Sequence, residues 1–477
     1  MKNIYFSVLL ITSLLLSSVT CQAKVKLPVL LADHMIMQQK SVQLFWGKAD
    51  NNRKVTVTTS WNNKKYITTS DKEGKWSVKI TTPEAGGPYR IDVSDGENLT
   101  LRDILIGEVW ICSGQSNMEM PMKGFNNQPV LGSNNIIAKS VENKIRLFSI
   151  PRSSSLSEEE DCQGIWTLNT PEMTSNFSAT AYFFGKLLSE VLNVPIGLIN
   201  TSWGGSKAEA WMSREALKPF TGVSLPVKPE NVVLPAKTPM VLYNAMMHPL
   251  IHFNVKGFIW YQGEDNRLDP ELYLKLIPAM VQNWRDRWGN QDLAFYYAQI
   301  SPYSYGSPRQ KSLNTGYMRE VQQKLMDIIP NSGMACLLDA GDYTCIHPAN
   351  KQAAGERLAY WALAKSYQIK GIGYCSPAYK KHVIQNDSVL INLNNIENGL
   401  TSYNKPITGF EMAGEDHKFY PANAIVKKNQ VIVTSKEVSK PVAVRYCFHH
   451  YAEGNLYATN GLPVAPFRTD HWDRETE

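Results

Sequence analysis

The chain has 477 residues, of which 43% are hydrophobic and 19% charged, and its formal net charge is +6. This length exceeds what one hydrophobic core normally organises, so we expect two or three domains. The small net charge and the lack of a basic run argue against nucleic-acid binding, and beyond the N-terminus no segment is long and apolar enough to span a membrane.

The N-terminus, residues 1–23, has the pattern of a secretory signal peptide. Lys2 supplies a positive charge, residues 5–16 form a short apolar stretch, and Ala23 offers a small residue for cleavage. Cys21 raises the alternative of a lipid anchor, but the serine and threonine before it make a poor lipobox. We therefore expect export, to the periplasm or the medium, rather than lipid anchoring.

The pattern of the mature chain changes twice. Residues 24–100 consist of short alternating segments separated by turns, which predicts an N-terminal antiparallel β-sandwich. In residues 101–370 apolar strands alternate with helical periodicity, which predicts a parallel sheet covered on both faces. Residues 371–477 return to short strands and turns. The predicted fold class is therefore α/β with a β-rich region at each end.

The cysteines of the mature chain are widely scattered. They form no C-x-x-C pair and no metal-ligand spacing, so we expect neither a metal nor a cofactor. Export allows one or two disulfides, but the spacing does not indicate a pairing. We expect Cys112 and Cys336, which lie in apolar strand-like runs, to be buried thiols. The cysteines are Cys112, Cys162, Cys336, Cys345, Cys375 and Cys447.

Four loops that follow predicted strands carry polar or glycine residues. In an open parallel sheet, functional groups gather at the carboxyl ends of the strands. In chain order these loops contain Ser116, the pair Gly204 and Gly205, the segment 261–266, and His347. Each has an ordinary structural explanation when taken singly: a helix cap, a turn, a solvated loop and a surface histidine. Together they supply a nucleophile, a base and amide donors at one sheet edge, which predicts a catalytic site.

The sequence around these loops resembles the SGNH (GDSL-like) hydrolase superfamily, and within it the sialate O-acetylesterase family. The resemblance spans nearly the whole mature chain. It implies a flavodoxin-like three-layer α/β/α domain with β-rich additions, and the removal of acetyl esters from sugars, O-acetylated sialic acids above all. The matching segments are 107–110, 114–118, 203–205 with 209–211, 260–264 with Asn266, 346–348 with Lys351, and 461–469.

This resemblance, together with the chemistry of acyl transfer, assigns roles to the residues. Ser116 is the expected nucleophile and His347 its base. The expected oxyanion donors are the Ser116 N–H, the Gly205 N–H and the Gln262 side-chain amide, with Asn266 as the alternate donor.

Three residues are assigned to the substrate-binding surface. Trp203 and Tyr261 are expected to stack on a sugar ring, although burial in the core explains an aromatic residue equally well. We expect Glu264 to brace its loop rather than take part in the chemistry.

The group that orients His347 is an open question in the sequence. Many SGNH enzymes place an aspartate three residues before the histidine, and some relatives place one two before, but here these positions hold Thr344 and Cys345. Asp342 is the preferred third catalytic member, while Asp339 and a backbone carbonyl are the alternatives.

Two other functions remain open at this point. The same machinery would serve an acetyl xylan esterase or another polysaccharide deacetylase. A non-catalytic carbohydrate-binding protein built from β-sandwiches is the alternative of a different class, and the alternating α/β centre argues against it. The expected partner is therefore an acetylated glycan or sialic acid, with no nucleic acid and no membrane span.

Overall fold

The computed structural model describes residues 25–141, 144–305 and 312–474. The predicted signal peptide thus lies outside the described residues. The first seven strands are β1 (Ile36–Gln38), β2 (Val42–Lys48), β3 (Lys54–Thr59), β4 (Lys65–Thr69), β5 (Lys75–Thr81), β6 (Gly86–Ser94) and β7 (Asn98–Gly114).

These strands form two sheets that share a core. β2 pairs with β5, while β4, β3, β6 and the first half of β7 form an antiparallel sheet to which β1 adds in parallel. Alternate residues such as Phe45 and Val57 are buried between the sheets, and the intervening residues face outward. This is the β-sandwich that the alternating pattern predicts.

The central part of the chain adds six strands and eight helices. The strands are β8 (Ile145–Ser149), β9 (Trp166–Leu168), β10 (Ile196–Ser202), β11 (Gly257–Tyr261), β12 (Ala294–Ala298) and β13 (Ser332–Ala335). The helices are α1 (Ser116–Glu119), α2 (Ser133–Ala138), α3 (Pro171–Asn176), α4 (Ala179–Leu192), α5 (Arg214–Leu217), α6 (Pro270–Trp288), α7 (Gly316–Ile328) and α8 (Lys351–Trp361).

The central sheet has the order β13-β12-β11-β7-β10-β8-β9, and every neighbouring pair is parallel except β8 with β9. If β8 and β9 are set aside as an extension of one edge, the remaining five strands have the flavodoxin-like order 2-1-3-4-5. On one side of β7 lies β10, and on the other side the order continues through β11, β12 and β13. The carboxyl end of β7 is therefore the topological switch point, where open α/β sheets bind ligands.

Helices cover both faces of this sheet. Trp110 and Cys112 of β7 belong to a core cluster with residues of α4 and α8, whereas Val109 and Ile111 belong to the opposite cluster with residues of α6 and α7. The alternation follows from the strand period of two. The predicted α/β class with a three-layer α/β/α centre is thereby confirmed.

The C-terminal strands form small antiparallel sheets, ordered β14-β15-β20-β19, β18-β17-β21-β23 and β16-β22. They are β14 (Ala378–Gln385), β15 (Ser388–Asn394), β16 (Leu400–Thr401), β17 (Phe410–Ala413), β18 (Phe419–Pro421), β19 (Asn423–Lys427), β20 (Gln430–Thr434), β21 (Ala443–Tyr446), β22 (Tyr457–Ala458) and β23 (Phe467–Arg468).

The six cysteines in the described residues are all free thiols. Cys112 and Cys336 are buried as expected, and burial raises the pKa of the Cys336 thiol to about 11. None of the helices in the described ranges is long and apolar enough to cross a membrane.

β7 joins the sandwich to the central sheet as one strand of 17 residues. The expected boundary between residues 100 and 101 lies inside this strand. Gly107 marks the transition, because a Cβ there would lie 2.0 Å from the Pro195 carbonyl oxygen. At this point the backbone of β7 passes directly against the backbone of Pro195, and a side chain at position 107 would prevent this contact.

Substituting Gly107 tests whether this contact holds the two regions together. Gly107→Ala should lower the free energy of unfolding by about 1–3 kcal/mol, because the methyl group meets backbone that cannot move away. Gly222→Ala is the matched control, since a Cβ there has no neighbour within 4 Å, and it should change stability by no more than about 0.5 kcal/mol. Urea unfolding compares the two; equal effects would contradict the assignment.

Candidate active site

The end of β7 is held in place by its close approach to β11. Gly114 has φ +139°, and a Cβ there would lie 2.2 Å from the Tyr261 carbonyl oxygen. The next residue, Gln115, donates its backbone N–H to the same carbonyl at 2.9 Å. The chain then turns directly into α1, whose first residue is Ser116. Only glycine allows this turn, because it tolerates both the positive φ and the contact.

Ser116 is the first residue of α1 and not its cap. The cap position belongs to Gln115, so the helix-cap explanation of the serine does not apply. The Ser116 N–H has no acceptor within the helix, as is general for a first turn. Within the described parts of the chain, Ser116 Oγ makes no hydrogen bond, either to His347 or to any other group. Ser116 is half-buried. Hydrogen bonds between a nucleophile and its base often form fully only with substrate bound.

The loop after β10 lies against Ser116. Trp203 donates its N–H to the Gly114 carbonyl at 3.1 Å, and Gly204 donates its N–H to Glu119 Oε2 at 2.7 Å. A Cβ on Gly204 would lie 3.3 Å from Ser116 Cβ, whereas one on Gly205 would meet only Asp265, at 3.8 Å. Gly205 therefore borders open space, one residue after the glycine that lies against Ser116.

Gln262 and Asn266 support the loop after β10 through hydrogen bonds. Gln262 is fully buried, and its Nε2 donates to the Ser206 carbonyl at 3.0 Å and to Asn266 Oδ1 at 2.7 Å. Both of its amide hydrogens are thus used, which leaves none for the expected oxyanion contact. Asn266 is 5% exposed, and its Nδ2 donates to Glu209 Oε2 at 2.9 Å. Both side chains thus support the backbone of the Gly205 loop.

Asn117 connects the segment that contains Ser116 to the loop that contains His347. Its Nδ2 donates to Glu264 Oε1 at 2.7 Å and to the Ile346 carbonyl at 3.1 Å. Its Oδ1 accepts from Lys351 Nζ at 2.6 Å. All of these side chains are buried. The residue after Ser116 is thus hydrogen-bonded to the residue before His347, although 229 positions separate Asn117 from Ile346.

Gln128 is the side chain that contacts His347 Nδ1. The distance from Nδ1 to Gln128 Oε1 is 2.6 Å, and the Phe125 ring packs edge-on against the imidazole with centroids 5.3 Å apart. Because Oε1 only accepts hydrogen bonds, Nδ1 carries the proton and Nε2 is left as the basic nitrogen. Burial, reinforced by the Lys351 ammonium, lowers the pKa of His347 to about 4. The imidazole is therefore neutral at physiological pH.

Asp342 does not contact His347, contrary to the expected third-member role. Its Oδ1 accepts hydrogen bonds from the Thr344 N–H and hydroxyl and from the Cys345 N–H, at 2.7, 2.9 and 2.9 Å. These bonds lower the pKa of Asp342 and hold the carboxylate in a turn. The alternative Asp339 is paired with Arg357. The preceding acidic residues thus shape the loop, and an amide occupies the position expected for a carboxylate.

The three predicted substrate contacts differ in exposure. Tyr261 is 1% exposed and its hydroxyl lies 2.9 Å from Ser301 Oγ, so it cannot stack on a sugar. Glu264 is buried and braces Asn117, as expected. Trp203 is half-buried, with the Arg152 guanidinium 5.7 Å from its ring centroid. Of the three, only Trp203 borders the surface beside Ser116.

Sequence reasoning missed Gln128 and Asn117 as members of the site. Gln128 lies 219 residues before His347 in a loop without any motif, so no sequence signal marked it. Asn117 and Lys351 stood in the matching segments, but without a role. Among the described residues, no group of three or more His, Cys, Asp or Glu side chains could hold a metal ion.

A serine hydroxyl, a neutral imidazole and glycine-rich backbone thus lie at the switch point of a three-layer α/β/α fold, an arrangement typical of hydrolases. Residues 106–363 match the family described as carbohydrate esterase, sialic acid-specific acetylesterase. The chain is therefore a member of this family of carbohydrate esterases.

Relatives and solved structures agree with this membership. The sialate O-acetylesterase of Homo sapiens is 30% identical over 91% of this chain and 90% of that protein. The sialate O-acetylesterase of Rattus norvegicus is 29% identical over 91% and 92%. A carbohydrate acetylesterase from Xanthomonas citri has a crystal structure that superposes with a TM-score of 0.86 at 34% identity, covering 94% of this chain and 100% of that one. The predicted family resemblance is confirmed.

Separate substitutions of Gln128 and Asp342, the two candidate partners of His347, distinguish their roles. Gln128→Ala should lower kcat by about 10- to 100-fold, because the imidazole loses the acceptor that selects its basic nitrogen. Asp342→Asn should leave kcat within about two-fold, since the carboxylate only shapes its own turn. Steady-state hydrolysis of p-nitrophenyl acetate measures both, with thermal melts as the control for folding. A larger loss in the Asp342 variant would contradict the assignment.

Proposed function

We propose that this chain removes O-acetyl groups from sugars by a serine mechanism, with Ser116 as nucleophile and His347 as general base. The observation that carries the proposal is the hydrogen bond from Asn117 to the Ile346 carbonyl, at 3.1 Å. A nucleophile and its base must be held within reach of each other. This bond joins the neighbours of both residues at the switch point of the sheet.

The reaction needs two acyl transfers. Ser116 Oγ bonds to the acetyl carbonyl carbon while its proton passes to His347 Nε2. The carbon–oxygen bond to the sugar breaks as the sugar oxygen takes up that proton, which leaves an acetyl ester on Ser116. Water, deprotonated by His347, then attacks the carbonyl carbon of this ester. The bond from that carbon to Ser116 Oγ breaks, Oγ takes the proton back from His347, and acetic acid departs.

The oxyanion of each tetrahedral intermediate needs donors that are already in place. We assign this role to the backbone N–H groups of Ser116 and Gly205. The first belongs to the opening residue of α1, where backbone N–H groups lack helical acceptors. The second borders open space and directly follows Gly204, whose Cβ position would be 3.3 Å from Ser116 Cβ.

The imidazole of His347 is in its proton-accepting form at neutral and mildly acidic pH. Because the pKa of His347 is lowered to about 4, the ring stays unprotonated until the pH falls towards that value. Gln128 holds the proton on Nδ1, so Nε2 remains free to receive the Ser116 proton.

We propose O-acetylated sialic acids as the substrate. The relatives named above are sialate O-acetylesterases, and a cation stands beside the nucleophile. The position of a Cβ on Gly204 would be 3.6 Å from Arg152 Nη2 and 3.3 Å from Ser116 Cβ. Glu119 binds Nε and Nη2 of Arg152, at 2.6 and 2.7 Å, and about half of the arginine side chain is exposed. The remaining guanidinium hydrogens suit the carboxylate of an acidic sugar.

We further propose that the protein is exported. The support comes from the sequence: a lysine followed by an apolar stretch and a small residue at position 23. This places the enzyme where it meets acetylated glycans outside the cytoplasm.

Acetate release from a substrate panel tests the proposal. The purified protein should release acetate from O-acetylated sialic acids faster than from acetylated xylan. Ser116→Ala should lower both rates by several orders of magnitude, because removal of a nucleophile disables the whole unit. Gly222→Ala serves as a surface control that keeps the wild-type rate. A Ser116→Ala protein with near-normal release would refute the serine mechanism, and a preference for xylan would refute the proposed substrate.

A further inference from the structure

Directly behind Ser116 lies a buried group of polar side chains that the proposed reaction does not use. Lys351 is 1% exposed, Glu264 is 2% exposed and Asn117 is completely buried. Burial of a lysine and a glutamate away from water is costly unless other groups compensate both charges. A protein that only had to fill this space would do so with apolar side chains.

Asn117 stands between the two ionisable groups and contacts both. Its Oδ1 accepts from Lys351 Nζ at 2.6 Å, and one hydrogen of its Nδ2 goes to Glu264 Oε1 at 2.7 Å. The other hydrogen goes to the Ile346 carbonyl at 3.1 Å. Because both amide hydrogens are used, the side chain cannot turn without breaking these bonds.

The contacts join three separate segments of the chain. Asn117 belongs to α1 directly after Ser116, Glu264 to the loop after β11, and Lys351 to the first turn of α8, four residues after His347. A displacement of about 1 Å between reacting groups can cost about 10²-fold in rate. The bonds therefore connect the segments whose spacing the chemistry depends on.

We propose that Lys351, Asn117 and Glu264 form a positioning unit that fixes the Ser116 loop against the His347 loop and places a positive charge beside the imidazole. The inference rests on the proposed function, in which Ser116 is the nucleophile and His347 the base. The three residues act through these two and do not touch the reacting atoms.

The electrostatic part follows from the groups that surround the imidazole. Gln128 and Phe125, which contact the ring, carry no charge, so the Lys351 ammonium is the charged group that lowers the pKa of His347 in addition to burial. Burial lowers the pKa of Lys351 itself to about 7, against the opposing influence of Glu264 and Cys345. Burial raises the pKa of Glu264, and Asp265 raises it further. Lys351 is thus charged in the acidic range where His347 takes up its proton.

These charges determine the direction in which Lys351→Met should shift the pH dependence of activity. Activity needs neutral His347, so it is present above the pKa of His347 and lost as the pH falls through it. Lys351→Met removes one of the two causes that lower this pKa. The acidic limb of kcat/KM, expected at about pH 4 in the wild-type enzyme, should therefore move to higher pH in this variant.

Three variants test the proposal with p-nitrophenyl acetate. Lys351→Met should lower kcat by about 10- to 100-fold and shift the acidic limb upward. Lys351→Gln should shift the limb equally but lose less kcat, because its amide can still donate to Asn117. Lys365→Met is the matched control: it removes a lysine from the segment that follows α8, where the side chain packs on Tyr374, and it should keep both the rate and the limb.

A merely structural role would lower thermal stability without moving the limb, and that result would overturn the proposal. The wild-type protein provides a test that does not depend on folding of a variant. The imidazole NMR signal of His347, identified by its absence in His347→Gln, should show a second inflection near pH 7 as Lys351 loses its proton. A signal without this inflection would overturn the electrostatic part.

Different variants test the serine mechanism and the role of Lys351. Near-normal acetate release by Ser116→Ala would remove the proposed function itself. An inactive Ser116→Ala protein together with a Lys351→Met protein of wild-type rate and unshifted limb would remove this inference alone.

Discussion

The close packing of β7 against β11 is the constraint on which the rest of the site depends. A Cβ on Gly114 would lie 2.2 Å from the Tyr261 carbonyl oxygen, so the two strands approach as closely as backbone allows. β10 and β11 pair in parallel with the second half of β7 on its two sides and hold its end in place. The turn into α1 therefore places Ser116 at a defined point of the sheet edge, and the loops after β10 and β11 are hydrogen-bonded to that point through Trp203 and Gln115.

The buried polar groups around this turn are costly for stability. Lys351 lies in a space where apolar packing would be cheaper, and Glu264 Oε2 has no hydrogen-bond partner within the described ranges. Such an arrangement is understandable where function requires it, because native proteins depart from the rules of stable packing mostly at functional sites. The same burial that costs stability also strengthens the influence of Lys351 on His347, since charges interact more strongly away from water.

Sequence patterns predicted the architecture and the sheet edge but not the contacts across it. Alternation of strands and helices is a local signal, so the α/β class and the loops of Ser116, Gly205 and His347 could be predicted. Gln128 could not, because it reaches His347 from a loop that only tertiary packing brings near. The burial of Gln262 was missed for a related reason: a loop that is rich in polar residues suggests exposure, but here this side chain is buried and donates to the Ser206 carbonyl.

Trapping of the covalent intermediate tests the central claim most directly, namely that the turn after β7 presents Ser116 as the nucleophile. The enzyme is mixed with excess p-nitrophenyl acetate, quenched with acid within milliseconds, digested and analysed by peptide mass spectrometry. The account predicts an acetyl group on the peptide that contains Ser116, with fragment ions that assign it to the serine, and its absence in Ser116→Ala. An acetyl group that accumulates during turnover on another residue, Cys345 or Lys351 included, would contradict it.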